Sequence, residues 1–398
     1  MPTRSGDSML HIERLSKAID SMGKSMLNQR ANQRNDLSVA MGWLRSNLSN
    51  AVLQKRLQSI IESEAGWEGV IPCTNHPLDE TFAVPATRPE SVTLIGVDGS
   101  QIFPDRHGAV LYYLIQCGAL IFRYNGSLPE PQSTERLYFE DELLFDRRGY
   151  LISNDAIGIQ RTAQEMLFAA HLCALERKNH PQAGIFSIID GPLLWPYLER
   201  GHHITPEFEA YLSGLTEIRQ NAVTPAGYVD RPGGKWFLNL LWINQLPNEE
   251  PITNVECPLH TLTDARLMEI ILAPGDRTAW YKRHSETQKK HARAGHEIWF
   301  CYINLGEVES PSIARIELPF WFAHEETGIR TLHNALRHQA QVLNGYPYVL
   351  ARAHEQALVT IQDKAALDML LQRIIMEQGI MPSMSDKARQ KSYLGHRQ

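Results

Sequence analysis

The chain has 398 residues, 43% of them hydrophobic and 21% charged, which is enough to bury a large core in two or three structural units. Its formal net charge of -6 excludes a general attraction of the whole surface to nucleic acid, so such contacts have to come from local patches. The five cysteines form no CxxC pair, which excludes a zinc ribbon and a disulfide framework and favours a reducing, cytoplasmic location. Since the sequence has no signal-peptide segment and no apolar run of about 18 residues, we expect no membrane span.

Apolar side chains at helical spacing predict two helices over residues 1–65. The first stripe comprises Leu15, Ile19, Met22 and Met26, and the second runs from Leu44 to Ile61. We expect this helical extension either to pack on the core or to serve as a dimerisation arm. Four prolines between residues 66 and 90 predict an extended connector, which completes a first unit over 1–90.

A short apolar run from Val92 to Val97 predicts a buried strand that stops at the turn-forming sequence Asp98-Gly99-Ser100. Further strands are expected over 109–118 and 119–124, with a turn between them at residues 117–118. A carboxylate at the end of a buried strand is held on a rigid element and exposed at the edge of the sheet. Asp98 is therefore a candidate metal ligand.

A second apolar run has the same form, since residues 185–190 end in Asp190-Gly191-Pro192. Two strand-ending Asp-Gly steps in one chain suggest that Asp98 and Asp190 converge on one site. The alternative is that both are ordinary β-turns, because Asp-Gly is a common turn pair.

A helix is predicted over residues 159–178, immediately before the strand that ends at Asp190. If helix and strand run antiparallel, the 13 steps from Glu165 to Lys178 span about 20 Å. The 5 steps from Ile185 to Asp190 span about 17 Å. Glu165 then lies level with Asp190, whereas Glu176 lies at the far end. Glu165 is the better candidate for a helix carboxylate in the site, and a place on the wet face is the alternative.

The remaining sequence predicts further elements. We expect an acidic loop over 125–158, helices over 193–222 and 233–245, a helix start at Thr263 or Asp264, strands over 226–232, 297–305 and 313–322, and mostly helix from Thr331. Pro347 suits the first turn of a helix, which places Tyr346 at its entrance and His354 about two turns inside.

The segment 276–293 is locally basic and contains Lys282 and Arg283 next to Trp280 and Tyr281. Cations interleaved with aromatic rings are typical of a groove for single-stranded nucleic acid, where they contact phosphates and stack on bases. An exposed helix or loop is the alternative reading.

Sequence motifs narrow the chemistry. The chain has no Walker A motif and no Gly-x-Ser-x-Gly elbow, which argues against a P-loop ATPase and against an α/β-hydrolase. Two strand carboxylates and a helix carboxylate instead suit hard divalent cations. Two such ions can activate water and stabilise a leaving oxygen in phosphodiester cleavage.

Five short motifs, in this order along the chain, resemble the NurA nuclease family. They are Val97-Asp-Gly-Ser100, Ile188-Ile-Asp-Gly-Pro192, Ala226-Gly-Tyr-Val-Asp-Arg-Pro232, Ala314-Arg-Ile-Glu-Leu-Pro319 and Gly345-Tyr-Pro-Tyr with Ala353-His354. The resemblance runs from about residue 91 to 360. It implies an α/β fold with a ribonuclease H-like mixed β-sheet core flanked by helices, and a nuclease domain over 91–360. Beyond the resemblance, we expect a C-terminal helix and a basic tail over 361–398.

The resemblance also implies function. Members of the family are manganese-dependent nucleases that degrade DNA during end resection, form dimers and work with HerA, a hexameric DNA-translocating ATPase. Carried onto this chain, Asp98, Glu165 and Asp190 would hold one or two manganese ions, with magnesium as an alternative. Tyr346 would hold a phosphate or a water, and His354 would ligate the metal or act as general acid or base.

The resemblance and the local charges leave several points open. Arg231 and Lys235 are candidate phosphate contacts by charge and proximity to a Gly-rich turn, together with Lys282 and Arg283. The leading hypothesis is a DNA exonuclease (5'–3') or single-strand endonuclease in end resection or repair. The alternatives are a non-catalytic DNA-binding adaptor of the translocase, a defence nuclease against foreign DNA, and hydrolysis of RNA or a small phosphoester.

Overall fold

The structure is a computed structural model that describes residues 15–46, 50–63, 67–84, 87–197, 204–246, 255–343 and 345–379. The predicted basic tail beyond residue 379 and the first part of the predicted N-terminal helix lie outside the described residues. No described helix combines the length and the apolar composition that crossing a bilayer requires.

Eleven strands form one mixed sheet in the described part of the chain. They are β1 Gly69–Pro72, β2 Thr81–Ala83, β3 Val92–Ile102, β4 Tyr113–Arg123, β5 Glu130–Tyr138, β6 Gly184–Asp190, β7 Thr224–Asp230, β8 Asp276–Thr278, β9 Tyr281–His284, β10 Ile298–Asn304 and β11 Ile313–Pro319. Their order across the sheet is β1-β9-β10-β11-β7-β6-β3-β4-β5, with β8 beside β10 and β2 beside β8. Strands β3, β6 and β7 are parallel to one another, and the other pairs are antiparallel.

Helices cover both faces of this sheet. They are α1 Ser16–Arg45, α2 Asn50–Ser63, α3 Asp141–Leu144, α4 Asn154–Asn179, α5 Pro206–Gln220, α6 Trp236–Gln245, α7 Asp264–Ile271, α8 Glu286–Arg293, α9 Glu326–Val342, α10 Tyr348–Ala357 and α11 Ile361–Glu377. As predicted, Thr263 caps α7 by accepting a hydrogen bond from the Arg266 amide, and α10 begins directly after Pro347.

Successive side chains along the central strands point to opposite faces of the sheet, and each face packs against its own set of helices. Leu94 and Ile188 pack on one face with residues of α9 and α10, such as Leu336 and Leu350. Their neighbours in sequence, such as Ile95, pack on the opposite face with α4 and α5. Helices α1, α2, α6 and α7 form a further cluster against β1, β9 and β10. The core is therefore continuous on both sides of β3 and β6.

The two predicted N-terminal stripes behave differently. The part of the second stripe that the structure describes packs on the body, with Leu44, Leu53 and Leu57 buried. The first stripe does not pack, since every described residue from Leu15 to Asn32 is exposed. Helix α1 thus joins the body through its second half, where Ala40 is fully buried.

Four local predictions were wrong. Strand β3 does not stop at Asp98 but continues to Ile102, because Gly99 and Ser100 stay paired with β4. The two strands expected over 109–124 are one strand without a turn at residue 118. The segment expected to be a loop contains β5, a mostly exposed strand at the edge of the sheet. The proline-rich connector contains β1 and β2, which pair with β9 and β8.

Candidate metal centre

Asp98 and Asp190 lie side by side at the centre of the sheet. Strands β3 and β6 are parallel, with Val97 opposite Ile189, so the two aspartates are the next residues on both strands. Neighbouring strands lie about 4.8 Å apart. Alternation places both carboxylates on the face that α10 covers, together with Leu94 and Ile188. The sequence prediction that these two residues converge agrees with this placement.

Helix α10 brings His354 to Asp98. The helix crosses β3 and β4 at two glycines, where side chains would collide with its backbone. A Cβ on Gly96 would lie 2.6 Å from the Val349 carbonyl oxygen, and one on Gly118 would lie 2.2 Å from the Ala357 amide nitrogen. This close approach places His354 Nδ1 2.6 Å from Asp98 Oδ2.

Tyr346 lies at the entrance of α10 and contacts Asp190, as His354 contacts Asp98. Its hydroxyl donates a hydrogen bond of 2.7 Å to Asp190 Oδ2. Its ring packs edge-on against Tyr228, at 5.4 Å between centroids. The two strand carboxylates therefore each have a partner from the C-terminal part of the chain.

Glu165 reaches the site from the opposite face of the sheet. Ser153 caps α4 by accepting a bond from the Ala156 amide, which fixes where the helix begins. Glu165 lies three turns later, buried against Gly99, and a Cβ on that glycine would lie 2.3 Å from Glu165 Oε1. Because Gly99 has no side chain, it leaves an opening on this face of β3, and the Glu165 carboxylate fills that opening beside the residue that follows Asp98.

Glu176 lies at the other end of α4 and forms a buried ion pair. Its carboxylate accepts bonds from the Arg123 guanidinium at 2.7 and 2.8 Å and from the Thr93 hydroxyl at 3.2 Å. These partners lie near the start of β3, away from Asp98. The length argument that favoured Glu165 over Glu176 agrees with the observed geometry.

The three carboxylates repel one another in a largely dry environment. Burial raises the pKa of the Glu165 carboxyl to about 8; the positive charge of Arg161 opposes this rise, and the charges of Asp98 and Asp190 add to it. Burial also raises the pKa of Asp190, with the Tyr346 hydrogen bond opposing it and the charge of Asp98 adding to it. Arg161 supplies one positive charge to this set of three acids, and a divalent cation would supply more.

The donor chemistry fits a hard divalent cation, but the donor atoms are turned toward other partners. Asp98 faces His354, Asp190 faces Tyr346, and Glu165 Oε1 lies 3.1 Å from Arg161 Nε. Within the described ranges, no three His, Cys, Asp or Glu side chains stand as a ready ligand set. Metal binding at these acids therefore requires side-chain rotation, above all at Glu165.

Two residues near the site, Arg161 and Asp230, were not identified from the sequence. Arg161 lies one turn before Glu165 and also donates to the Gln101 side chain at 2.8 Å. Asp230 ends β7, beside β6, and its charge contributes to the raised pKa of Asp190. The strand-ending position of Asp230 was the available signal, whereas a lone arginine on a helix carries none.

The candidate phosphate contacts are mostly engaged elsewhere. Lys235 donates to two backbone carbonyls, Lys282 pairs with Glu297, and Arg283 pairs with Glu68. Arg231 follows Asp230 with an 85% exposed side chain and a backbone φ of +41°. The assignment of these four residues to DNA binding stays a prediction.

The basic segment 276–293 is not an open stacking groove. Trp280 and Tyr281 are 4% and 1% exposed, so neither ring is available to a base. Lys290 is buried as well. The expectation of exposed aromatics was wrong because Trp280 packs in the core cluster that contains α9, and Tyr281 packs in the cluster that contains α6.

Comparisons with known proteins agree with the motif order. The model of the NurA domain matches residues 92–359. The crystal structure of the NurA nuclease from Sulfolobus solfataricus is similar, with 11% identity and a TM-score of 0.47, over 89% of this chain and 98% of that one. A crystal structure of NurA bound to dAMP and manganese has 12% identity and a TM-score of 0.40, over 88% of this chain and 95% of that one. No curated protein matches the sequence.

The family match covers more than half of the chain and contains all five residues of the candidate centre: Asp98, Glu165, Asp190, Tyr346 and His354. On this match, the chain belongs to the NurA family.

Proposed function

We propose that the protein is a manganese-dependent deoxyribonuclease with a ribonuclease H-like core. The observation that carries the proposal is the placement of three carboxylates around β3: Asp98 and Asp190 lie on one face of the sheet, and Glu165 packs against Gly99 on the other. Family membership supports it, since solved relatives include a NurA nuclease and NurA with dAMP and manganese. Magnesium, which also prefers oxygen ligands, is the alternative ion.

The residues divide the work of phosphodiester hydrolysis. One or two manganese ions, when bound by Asp98, Glu165 and Asp190, would supply Lewis-acid chemistry to the phosphate. Tyr346 orients the Asp190 carboxylate through its hydroxyl. Asp98 orients the imidazole of His354 at Nδ1, which leaves Nε2 of this 61% exposed side chain to ligate the ion or exchange a proton with the substrate.

The partners follow from family membership and remain proposals. We propose that the substrate is DNA, attacked at ends (5'–3') or within single strands, in end resection or repair. A hexameric HerA-type ATPase would feed the DNA, and the nuclease would act as a homodimer. Arg231, beside Asp230 and largely exposed, is the best placed of the four candidate phosphate contacts.

The test is nucleotide release from labelled single- and double-stranded DNA with manganese, with magnesium or with EDTA. We expect release by the wild type with manganese, none with EDTA, and none by Asp98→Asn or Asp190→Asn. Glu142→Gln is the matched control, because this acidic side chain is exposed on α3. Digestion by a folded Asp98→Asn protein would rule the proposal out. Binding of the ATPase without nucleotide release under any divalent ion would favour the adaptor.

A further inference from the structure

The first three turns of α1 present an apolar seam that the described body of the protein does not cover. Leu15, Ile19, Met22 and Met26 are between 42% and 57% exposed. Their spacing of four, three and four residues is that of the seam of a two-helix coiled coil. The helix is already formed and anchored by its packed second half, so a partner would not have to nucleate it.

The seam has small, uncharged flanks. The positions beside it are Ser16, Ala18, Gly23 and Ser25, whereas the charged residues Lys17, Asp20 and Lys24 lie away from it. Gly23 disfavours the helix relative to alanine, and a Cβ there would meet nothing within 4 Å. Nothing in the described body requires this glycine. A second helix packed closely on the seam would require a small residue at position 23, because small flanking residues allow two helix backbones to approach.

The sequence of the seam identifies that second helix. Residues 15–20 have the sequence Leu-Ser-Lys-Ala-Ile-Asp, and residues 26–21, in reverse order, have the sequence Met-Ser-Lys-Gly-Met-Ser. The two sequences match in residue type at every position except the last, where aspartate corresponds to serine. A segment that repeats its own pattern in reverse is complementary to an antiparallel copy of itself. Isologous contacts across a twofold axis have this property.

We infer that this seam pairs with the same seam of a second copy of the chain, antiparallel, with the twofold axis between Asp20 and Ser21. Leu15 then packs on Met26 of the partner subunit, and Ile19 packs on Met22 of the partner subunit. The seam precedes, in sequence, the segment 92–359 that the family model matches. The inference deepens the proposed homodimer by naming its contact surface, and it does not depend on the nuclease chemistry.

The first experiment measures mass in solution over a dilution series of the full chain. We expect the wild type to be a dimer, and the double variant Ile19→Glu, Met22→Glu to dissociate at least about 100-fold more readily, because its charges would be buried at the contact. Leu27→Glu is the control, since Leu27 is an exposed apolar side chain of α1 outside the seam. It should leave the dimer unchanged. Circular dichroism checks that each variant keeps its helices.

A matched pair of glycines tests the close approach. Gly23 and Gly42 are both exposed residues of α1 at which a Cβ meets nothing within 4 Å. Gly23→Ala should weaken the dimer by at least about 10-fold, because the added methyl groups separate the helices, whereas Gly42→Ala should not. An equal effect of the two changes would contradict the close contact.

Cross-linking tests the orientation. In the antiparallel pair, residue 18 of one copy lies beside residue 25 of the other. Ala18→Cys and Ser25→Cys proteins should form a disulfide-linked dimer when mixed and oxidised, and neither should do so alone.

A monomeric wild type, a dimer that survives the double glutamate variant, or cross-linking of either cysteine variant alone would overturn the inference. The inference would also be overturned if the wild type were monomeric and the double glutamate variant lost binding to the ATPase. That result would assign the seam to contact with the ATPase. Nucleotide release is scored separately. A monomeric variant that still digests DNA leaves the nuclease proposal standing.

Discussion

The hydroxyl of Tyr346 donates a 2.7 Å hydrogen bond to Asp190 Oδ2 across 156 residues of sequence. Asp190 lies in a largely buried position where burial raises its pKa, and this bond is the largest effect that opposes the rise. The tyrosine therefore keeps Asp190 closer to the charged form that a cation requires. The same pairing recurs between His354 and Asp98, so each strand carboxylate depends on the C-terminal region.

Replacing Tyr346 by phenylalanine isolates this bond. The ring contact with Tyr228 remains, so we expect an unchanged fold. A hydrogen bond to a charged group is worth about 1.5–3 kcal/mol, so manganese affinity or the rate of DNA cleavage should fall about 10- to 100-fold. Titration calorimetry and cleavage kinetics measure the two effects. Tyr348→Phe, two residues away, is the control and should retain both; equal losses in the two variants would contradict the assigned role.

The two glutamates of α4 should respond in opposite ways to the same change. Glu165→Gln replaces a buried carboxyl group whose pKa burial already raises to about 8, so the protein should stay folded and lose nuclease activity. Glu176→Gln weakens a buried ion pair with Arg123 and should lower the free energy of unfolding by about 3 kcal/mol, with activity per folded molecule retained. Urea unfolding and cleavage assays on both variants give the comparison. Activity retained by Glu165→Gln would exclude Glu165 from the site.

Gly99→Ala tests the opening in β3. The added methyl group would overlap Glu165 Oε1, the end of a flexible side chain, so the carboxylate should move while the strand stays intact. We expect manganese affinity to fall at least about 10-fold with little change in melting temperature. Gly184→Ala is the matched strand variant, since its Cβ would meet only the Ser91 carbonyl oxygen at 3.9 Å. A Gly99→Ala protein with normal metal binding would show that Glu165 does not need this opening.

His291 predicts how stability depends on pH. It is fully buried, its Nε2 accepts a bond from the Trp195 amide at 3.2 Å, and burial lowers its pKa to about 3. Above about pH 6.5 the imidazole is neutral in both folded and unfolded chains. Below that value only the unfolded chain takes up the proton, so stability falls until about pH 3.

The expected loss at His291 is about 2 kcal/mol between pH 8 and pH 5. Urea unfolding at the two pH values measures it. In His291→Gln, which keeps an acceptor for the Trp195 amide, the difference between the two pH values should shrink by about that amount. An identical pH dependence in variant and wild type would remove His291 as a cause.

The sequence placed the carboxylates well because each belongs to a strongly patterned element. The apolar runs before Asp98 and Asp190 predicted strands, and the lengths of helix and strand distinguished Glu165 from Glu176. Gly99 was misread because Asp-Gly favours a turn locally. In the fold, pairing with β4 keeps the strand extended, and the glycine serves the approach of Glu165 instead.

Other features depend on contacts that no local pattern reveals. Residue 118 resembled a turn glycine but lies where α10 crosses β4. Strand β5 was missed because an exposed edge strand lacks the alternation of apolar and polar residues. Arg161 and Asp230 are ordinary charged residues until the fold brings them to the site. The exposure of the first stripe of α1 likewise depends on what the body leaves uncovered.

The close crossing of α10 over Gly96 and Gly118 has a consequence for the order in which the protein becomes active. A ribosome releases the segment with all three acids long before the one that carries Tyr346 and His354. Closing so long a loop costs entropy that only later packing recovers. A nascent chain therefore holds its acids without their C-terminal partners, and the site is completed only when α10 packs on the two glycines.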